Sequence, residues 1–314
     1  MSEGQLSDRS LLVRSAAYAS ITTALFLLAL KLWAAWVTDS TAMLGSLADT
    51  ALDLIASIAT LVGVWIAAQP ADEDHRFGHG KAEALAAIFQ VMLIALSAGG
   101  IALRAIQRLI DPAPVQAPVE GIAVSVIAII ATLALLGWQR YVLARTNSVA
   151  IHADHVHYQS DILLNIAVIA ALALATYGGI AGADPLLGLA IAAWLAWGAW
   201  RAASEAVDQL MDREWPDDKR QRFVELAARH PELSNLHDLR TRSTGTRDFV
   251  QFHVDLPGSM SVEEAHDIVE RVETDLAGEF PDMELLIHID PIGHVDEPGN
   301  TLAEEDEFAK LERD

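Results

Sequence analysis

Six long apolar stretches leave this chain few environments other than a lipid bilayer. They run over about 15–37, 42–68, 82–109, 118–142, 150–176 and 181–207. Each reaches the roughly 20 residues that a helix needs to cross the hydrocarbon core. Backbone groups at that depth are satisfied only within a helix or a closed barrel, so stretches of this length predict six transmembrane helices. Several exceed the minimum, which predicts tilt or projection beyond the bilayer. Breakers separate them: Thr38-Asp39-Ser40, then Gln69-Pro70-Ala71-Asp72, Asp111-Pro112-Ala113-Pro114, and Gly178-Gly179 with Asp184-Pro185.

An even number of crossings returns the chain to its starting side. Arg9, Arg14, Arg76, Lys81, Arg140, Arg145 and Arg201 fall on that side, and only Arg104 and Arg108 approach the other. The positive-inside rule then places both termini in the cytoplasm. The opening MSEGQLSDRS lacks the basic and apolar regions of a cleaved signal peptide, so insertion uses a first span that is kept.

After residue 207 the pattern changes. Pro216 opens a helix expected over 217–229. Strand-like runs follow at 235–243 and 248–256, separated by Thr244-Gly245-Thr246. A second helix is expected over 261–279, with Ser261 as N-cap and Glu264 completing a capping box. A third strand covers 283–290. The organisation expected is a short segment over 1–14, a six-helix membrane domain over 15–207, an α+β domain over 208–292, and an acidic, aperiodic, unstructured tail over 293–314.

The net charge of −22 argues against a nucleic-acid partner, which needs a basic footprint. Most of the 43 acidic side chains lie after residue 207, where they serve solubility or raise the local concentration of cations. The absence of cysteine excludes disulfides and thiolate metal sites, leaving His, Asp and Glu as strong ligands.

The most informative feature is Asp49 and Asp53 inside the second apolar stretch, SLADTALDLIAS. A charge at membrane depth costs roughly 2.5–3.5 kcal/mol even on the lenient insertion scale. Two carboxylates four residues apart share one helix face and repel as bare anions. Protons, a basic partner or a metal must neutralise them. The fifth stretch offers a matching pair, His157 and Asp161, in HYQSDILLN. If the two helices face each other, three carboxylates and one imidazole converge. That set suits Zn²⁺ and nearly as well Cd²⁺, Fe²⁺ or Mn²⁺. The basic residues well inside a span, Lys31 and Arg104, do not repeat the spacing. Ligands must lose protons to bind metal, which predicts exchange of metal against protons, with His157 as the natural exchanger.

Other candidates lie outside the spans. The loop PADEDHRFGHGKAE brings Asp72, Asp74, His75 and His79 within eight positions, and both histidines with one aspartate could hold a metal. The α+β domain holds His237, His253, His266, His288 and Asp290. His288 and Asp290, two apart on a strand, share a face; the group converges only if the fold brings the strands together. His230 and His294 read as ordinary surface histidines. His152 and His155, with Asp154, precede the fifth helix core and read as interfacial polar residues.

Six spans, the two i, i+4 ligand pairs, FGHGKAE and HDLRTR together make a sequence that resembles the cation diffusion facilitators, in particular the bacterial zinc and ferrous-iron efflux pumps. The resemblance covers about residues 10–292. It implies a zinc/proton antiporter of the bacterial inner membrane, a homodimer embedded in lipid, with a ferredoxin-like, metallochaperone-like cytoplasmic domain. It implies a transport site at Asp49, Asp53, His157 and Asp161, and a loop site at Asp72, His75 and His79. It implies a cytoplasmic pair of metals at His237, His253, His266, His288 and Asp290, the aspartate bridging, and a dimer salt bridge between Lys81 and Asp212. Ile289 departs from the family pattern, where glutamine is frequent, and the acidic tail after Pro291 has no clear family role.

An intramembrane metalloprotease is the second class of function. It wants H-E-x-x-H or a comparable zinc-plus-base arrangement, which is absent here, so the chain is not expected to be an enzyme. A membrane metal sensor without transport is the third, and it has no need of an intramembrane ligand set.

Overall fold

The computed structural model describes residues 3–38, 41–110, 119–178, 183–280, 283–293 and 306–311. The chain divides into two units, Ser7–Asp208 and Gln209–Asp314, the second together with Met1–Leu6.

The first unit is helical: α1 (Glu3–Thr38), α2 (Thr41–Ala67), α3 (Ala82–Ile110), α4 (Val119–Thr146), α5 (Val149–Gly178) and α6 (Ala183–Leu210). Among the described residues, α1, α2, α3, α4 and α6 are long and apolar enough to cross a membrane. The fifth expected span is α5, whose first half carries His152, Asp154, His155, His157 and Asp161.

The packing is that of helices in lipid. Large apolar side chains such as Trp36, Leu96 and Trp200 are exposed, while Ala16, Ala17, Ala56, Ala84 and Ala153 are buried. Lipid gives no hydrophobic drive for helices to associate, so close approach of small residues and interhelical hydrogen bonds hold them. At Gly63 of α2 an added Cβ would run into Ala86 of α3, so only glycine allows that approach. Helix α5 is the hub of the unit, packed against α2, α3 and α4.

Asp154 of α5 is fully buried, which corrects its reading as interfacial. Its carboxylate accepts from Ser20 Oγ of α1 at 2.5 Å, Gln90 Nε2 of α3 at 2.8 Å and Gln139 Nε2 of α4 at 2.7 Å. Thr60 of α2 donates to Gln90 Oε1 at 2.6 Å and so orients that amide. One acidic side chain thereby ties four other helices to α5. A second knot joins Glu83 of α3, nearly fully buried, to Arg9 Nη1 of α1 at 3.3 Å and to Ser148, which opens α5. Arg9 Nε also donates to Thr146 O at 3.2 Å.

The second unit runs α7 (Asp217–Ala227), β1 (Ser234–Ser243), β2 (Asp248–Leu256), α8 (Val262–Glu279), β3 (Met283–Pro291) and α9 (Glu307–Leu311). The sheet order is β1-β2-β3, with β1 antiparallel and β3 parallel to β2. The parallel pair needs a crossover, supplied by α8, which starts at the expected Ser261–Glu264 capping box. Between β1 and β2 the chain reverses at Gly245, whose φ of +84° suits glycine. Alternate side chains of β2, Val250, Phe252 and Val254, enter a core with Phe223, Ile268, Val272 and Leu276. His253 points to the opposite face of the sheet.

Helix α9 lies in the stretch expected to be unstructured and corrects that expectation over 307–311. Phe308 and Leu311 pack against the core, and Arg220 Nη2 donates to Glu307 Oε1 at 2.8 Å. Two apolar residues in an acidic run are too few for periodicity to register.

Candidate metal centres

Three groups of ligand-bearing side chains form within the described residues, and in each the ligand atoms lie within 4.8 Å of one another. The first joins Asp53 of α2 to His157 and Asp161 of α5. The i, i+4 spacing stacks His157 and Asp161 on one face of α5, and α5 presents that face to α2. Asp53 Oδ1 is 3.0 Å from His157 Nε2. His157 is almost fully buried, so these groups meet away from bulk water. Below them Ser57 and Tyr158 hydroxyls are 3.0 Å apart, and Tyr158 donates to Ser20 O at 3.2 Å. The side chain of Asp49 lies outside the described residues; its backbone is in α2, four residues before Asp53.

The second group is the α2–α3 loop. His79 Nε2 is 3.3 Å from Asp72 Oδ2, and His75 Nδ1 is 3.2 Å from Asp72 Oδ1. The aspartate is held by its own loop: Oδ1 accepts the backbone N–H groups of His75 at 2.6 Å and Asp74 at 3.0 Å. The His75 backbone bond first, and then the His75 and His79 side chains, keep the Asp72 carboxyl below the usual carboxylate range. His79 Nδ1 lies 3.1 Å from Pro70 O, a carbonyl that only accepts, so this nitrogen carries the proton. Nε2 then faces a carboxylate oxygen, and the 3.3 Å between them is bridged either by a second ring proton or by a bound cation. Asp74, the alternative carboxylate, contributes a backbone donor instead.

The third group lies on the sheet face opposite the core. Register pairs His237 with His253 and His253 with His288, so three histidines stand in one row across β1, β2 and β3. Two irregularities in β1, flanking His237, make this possible. They place Asn235 and Asp238 at positive φ, +51° and +47°, which short polar residues tolerate. Asp290, buried beneath the row, receives His253 Nδ1 at 2.9 Å on Oδ2. His237 Nε2 is 3.7 Å from Oδ2, and His288 Nε2 is 3.5 Å from Oδ1. His237 repeats the pattern of His79: Nδ1 lies 2.7 Å from Asn235 O, leaving Nε2 toward the carboxylate.

Among the described residues, His237, His253 and Asp290 bring their ligand atoms within 4.8 Å of one another; exposed His266 of α8 is not in that group. His288 stacks beside His253, with ring centroids 4.5 Å apart. Asp238, missed in the sequence, adds a carboxylate oxygen 3.7 Å from His253 Nε2; its place immediately after His237 hid it, because neighbours on a regular strand face opposite ways. Asp154 was missed as a buried hub, and its spacing of three from His157 was the available signal. His152 pairs with Glu205 at 2.6 Å, and His155 Nδ1 lies 3.1 Å from Gln139 Oε1. His230 lies 3.9 Å from Asp275, and His294 falls outside the described residues. Asp212 lies within the second unit, where Arg242 Nη1 is 3.6 Å from its Oδ2, and Lys81 opens α3 in the first.

Comparison with known proteins adds the following. Residues 17–211 match the cation efflux transmembrane domain, and residues 215–292 match the cytoplasmic domain of cation efflux proteins. The cation-efflux pump FieF of Cronobacter sakazakii is 44% identical over 284 residues, covering 90% of this chain and 94% of that protein. FieF of Yersinia pestis is 43% identical over 279 residues, covering 89% and 93%. Among solved structures, the metal-bound C-terminal domain of the CzcD transporter from Thermotoga maritima is 29% identical, covering 25% of this chain and 93% of that one, with a TM-score of 0.24.

Proposed function

The chain belongs to the cation efflux, or cation diffusion facilitator, family of multi-pass transporters, and from that premise we propose that it exports Zn²⁺ from the bacterial cytoplasm across the inner membrane, in exchange for protons and as a homodimer. The observation that carries this reading is the meeting of Asp53 with His157 and Asp161 from two apolar helices. Acidic groups at membrane depth mark ion pathways by default. With Asp49 they form a four-ligand set of three carboxylates and one imidazole. That set fits a tetrahedral divalent ion, and Zn²⁺ ahead of Cd²⁺, Fe²⁺ or Mn²⁺.

Coupling follows from ligand chemistry. The imidazole and carboxylates bind metal only in their deprotonated forms, so loading from the cytoplasm releases protons and protonation from outside expels the ion. Alternating access of one site to the two faces makes this a cycle. The loop group is an exposed capture site. The histidine row of the cytoplasmic domain senses metal, and its occupancy biases the membrane helices through a population shift. Lys81 and Asp212 join at the dimer's membrane surface.

The test is metal uptake into proteoliposomes with a pH-sensitive dye inside, comparing Zn²⁺, Cd²⁺, Fe²⁺ and Mn²⁺ for the parent and Asp53→Ala. Expected are Zn²⁺ uptake with counter-movement of protons in the parent and none in the variant. Uptake that moves no protons refutes exchange; uptake undiminished in Asp53→Ala refutes the site.

A further inference from the structure

Lys31 lies one turn inside the end of the apolar span Asp8–Ala34 of α1, where a lysine ordinarily extends along its helix to reach the headgroups. Here its ammonium turns inward. Nζ donates to Thr50 Oγ1 of α2 at 2.6 Å, and Thr50 is 1% exposed. Thr50 follows Asp49 and precedes Asp53 by three residues, so the ammonium is anchored within one turn of the α2 ligands.

A count of formal charge gives this position a meaning. Asp49, Asp53 and Asp161 carry three negative charges when they ligate, and His157 ligates as a neutral ring. A divalent ion cancels two of the three. The loaded site would cross the membrane with a charge of −1, at a cost that low dielectric makes steep. One fixed ammonium closes the count. Asp154, a turn away on α5, accepts from three neutral donors, which solvate its charge without cancelling it; that charge is the same with and without metal, so the count is taken over the ligands and Lys31.

We infer that Lys31 is a resident counter-charge of the transport site, anchored by Thr50, which makes the site electrically neutral when it holds a divalent ion. It is a positioning and charge-selecting residue rather than a ligand. The inference rests on the transport reading above.

The test is exchange of Zn²⁺ for isotopically labelled Zn²⁺ across proteoliposomes at equal pH on both sides. This isolates the metal-loaded half of the cycle, and membrane potential is set by a potassium gradient with valinomycin. In the parent, exchange should change little over about 100 mV. In Lys31→Gln the loaded site gains a net negative charge, so exchange should slow about tenfold or more and vary several-fold over the same range. Zn²⁺ should bind Lys31→Gln at least as tightly as the parent, because a repelling charge has been removed. Lys31→Arg keeps the charge and should keep the parent's voltage response. A Lys31→Gln variant with the parent's rate and voltage response overturns the inference, as does strong voltage dependence in the parent. A parent that exchanges no metal overturns the transport reading instead. Size-exclusion behaviour and binding in detergent separate a misfolded variant from a slow one.

Discussion

At the level of single side chains, the chemistry is decided by which histidine nitrogen keeps its proton. His79 and His237 each use Nδ1 on a backbone carbonyl and aim Nε2 at an aspartate. Such partners fix tautomer and ring orientation, and losing one typically costs 10–100-fold in metal affinity. Loss of a ligand should cost at least as much: Asp53→Asn is expected to weaken Zn²⁺ at the membrane site about a hundredfold or more, read by calorimetry in a background lacking the loop and sheet histidines. Asp72 allows a statement about pH. Its carboxyl is held below the ordinary aspartate value of 3.8, so it stays anionic while pH falls through the ordinary carboxylate range. Its contribution to holding the loop and its metal is present above the unfolded value and fades only as pH falls through the depressed one. Carbon-detected NMR should place its midpoint below that of an exposed aspartate, and a midpoint at or above that value would show the His75 N–H bond to be absent.

At the level of elements, α5 carries the functional load. It delivers His157 and Asp161 to α2, and one turn earlier it is fastened through Asp154 to α1, α3 and α4. Asp154→Ala removes the acceptor and leaves three donors without it. A buried donor so stranded costs about 1–3 kcal/mol, moderated in membranes by alternative partners. The variant should unfold at a distinctly lower temperature in detergent and transport more slowly. An unchanged melting temperature would remove Asp154 from its place as the fastening of α5. In the second unit the equivalent device is the irregular β1, whose two register shifts turn His237 into line with His253 and His288. The double variant His253→Ala/His288→Ala is expected to weaken activation by cytoplasmic zinc and to leave a basal rate. An unchanged zinc dependence of transport would count against a sensing role.

At the level of the whole molecule, the proposed homodimer makes Lys81 and Asp212 partners. Lys81→Asp should lower transport several-fold, and adding Asp212→Lys should restore most of it by reversing the pair. Failure of the double variant to recover, measured as Zn²⁺ uptake at equal protein density, would separate the two residues. The loss must exceed the 0–1 kcal/mol typical of exposed ion pairs for the assignment to matter. A pair at the edge of a low-dielectric slab can reach that, because the bilayer concentrates the field of nearby charges.

That the first two thirds of the chain forms long apolar helices could be read directly from the sequence, because lipid allows the backbone so few forms. The same is true of the pairs Asp49/Asp53 and His157/Asp161, since helical spacing alone puts each pair on one face. The succession helix, strand, strand, helix, strand in the second unit and the capping box at Ser261 were legible for the same reason: local rules govern them. Tertiary structure decided the rest. It chose which face of α2 meets which face of α5, buried Asp154 among donors from distant helices, and turned Lys31 toward Thr50 instead of the headgroups. It also aligned three histidines through irregularities that strand periodicity does not announce. Each of these depends on pairing between segments far apart in sequence, and no local pattern records with which partner a polar side chain will be satisfied.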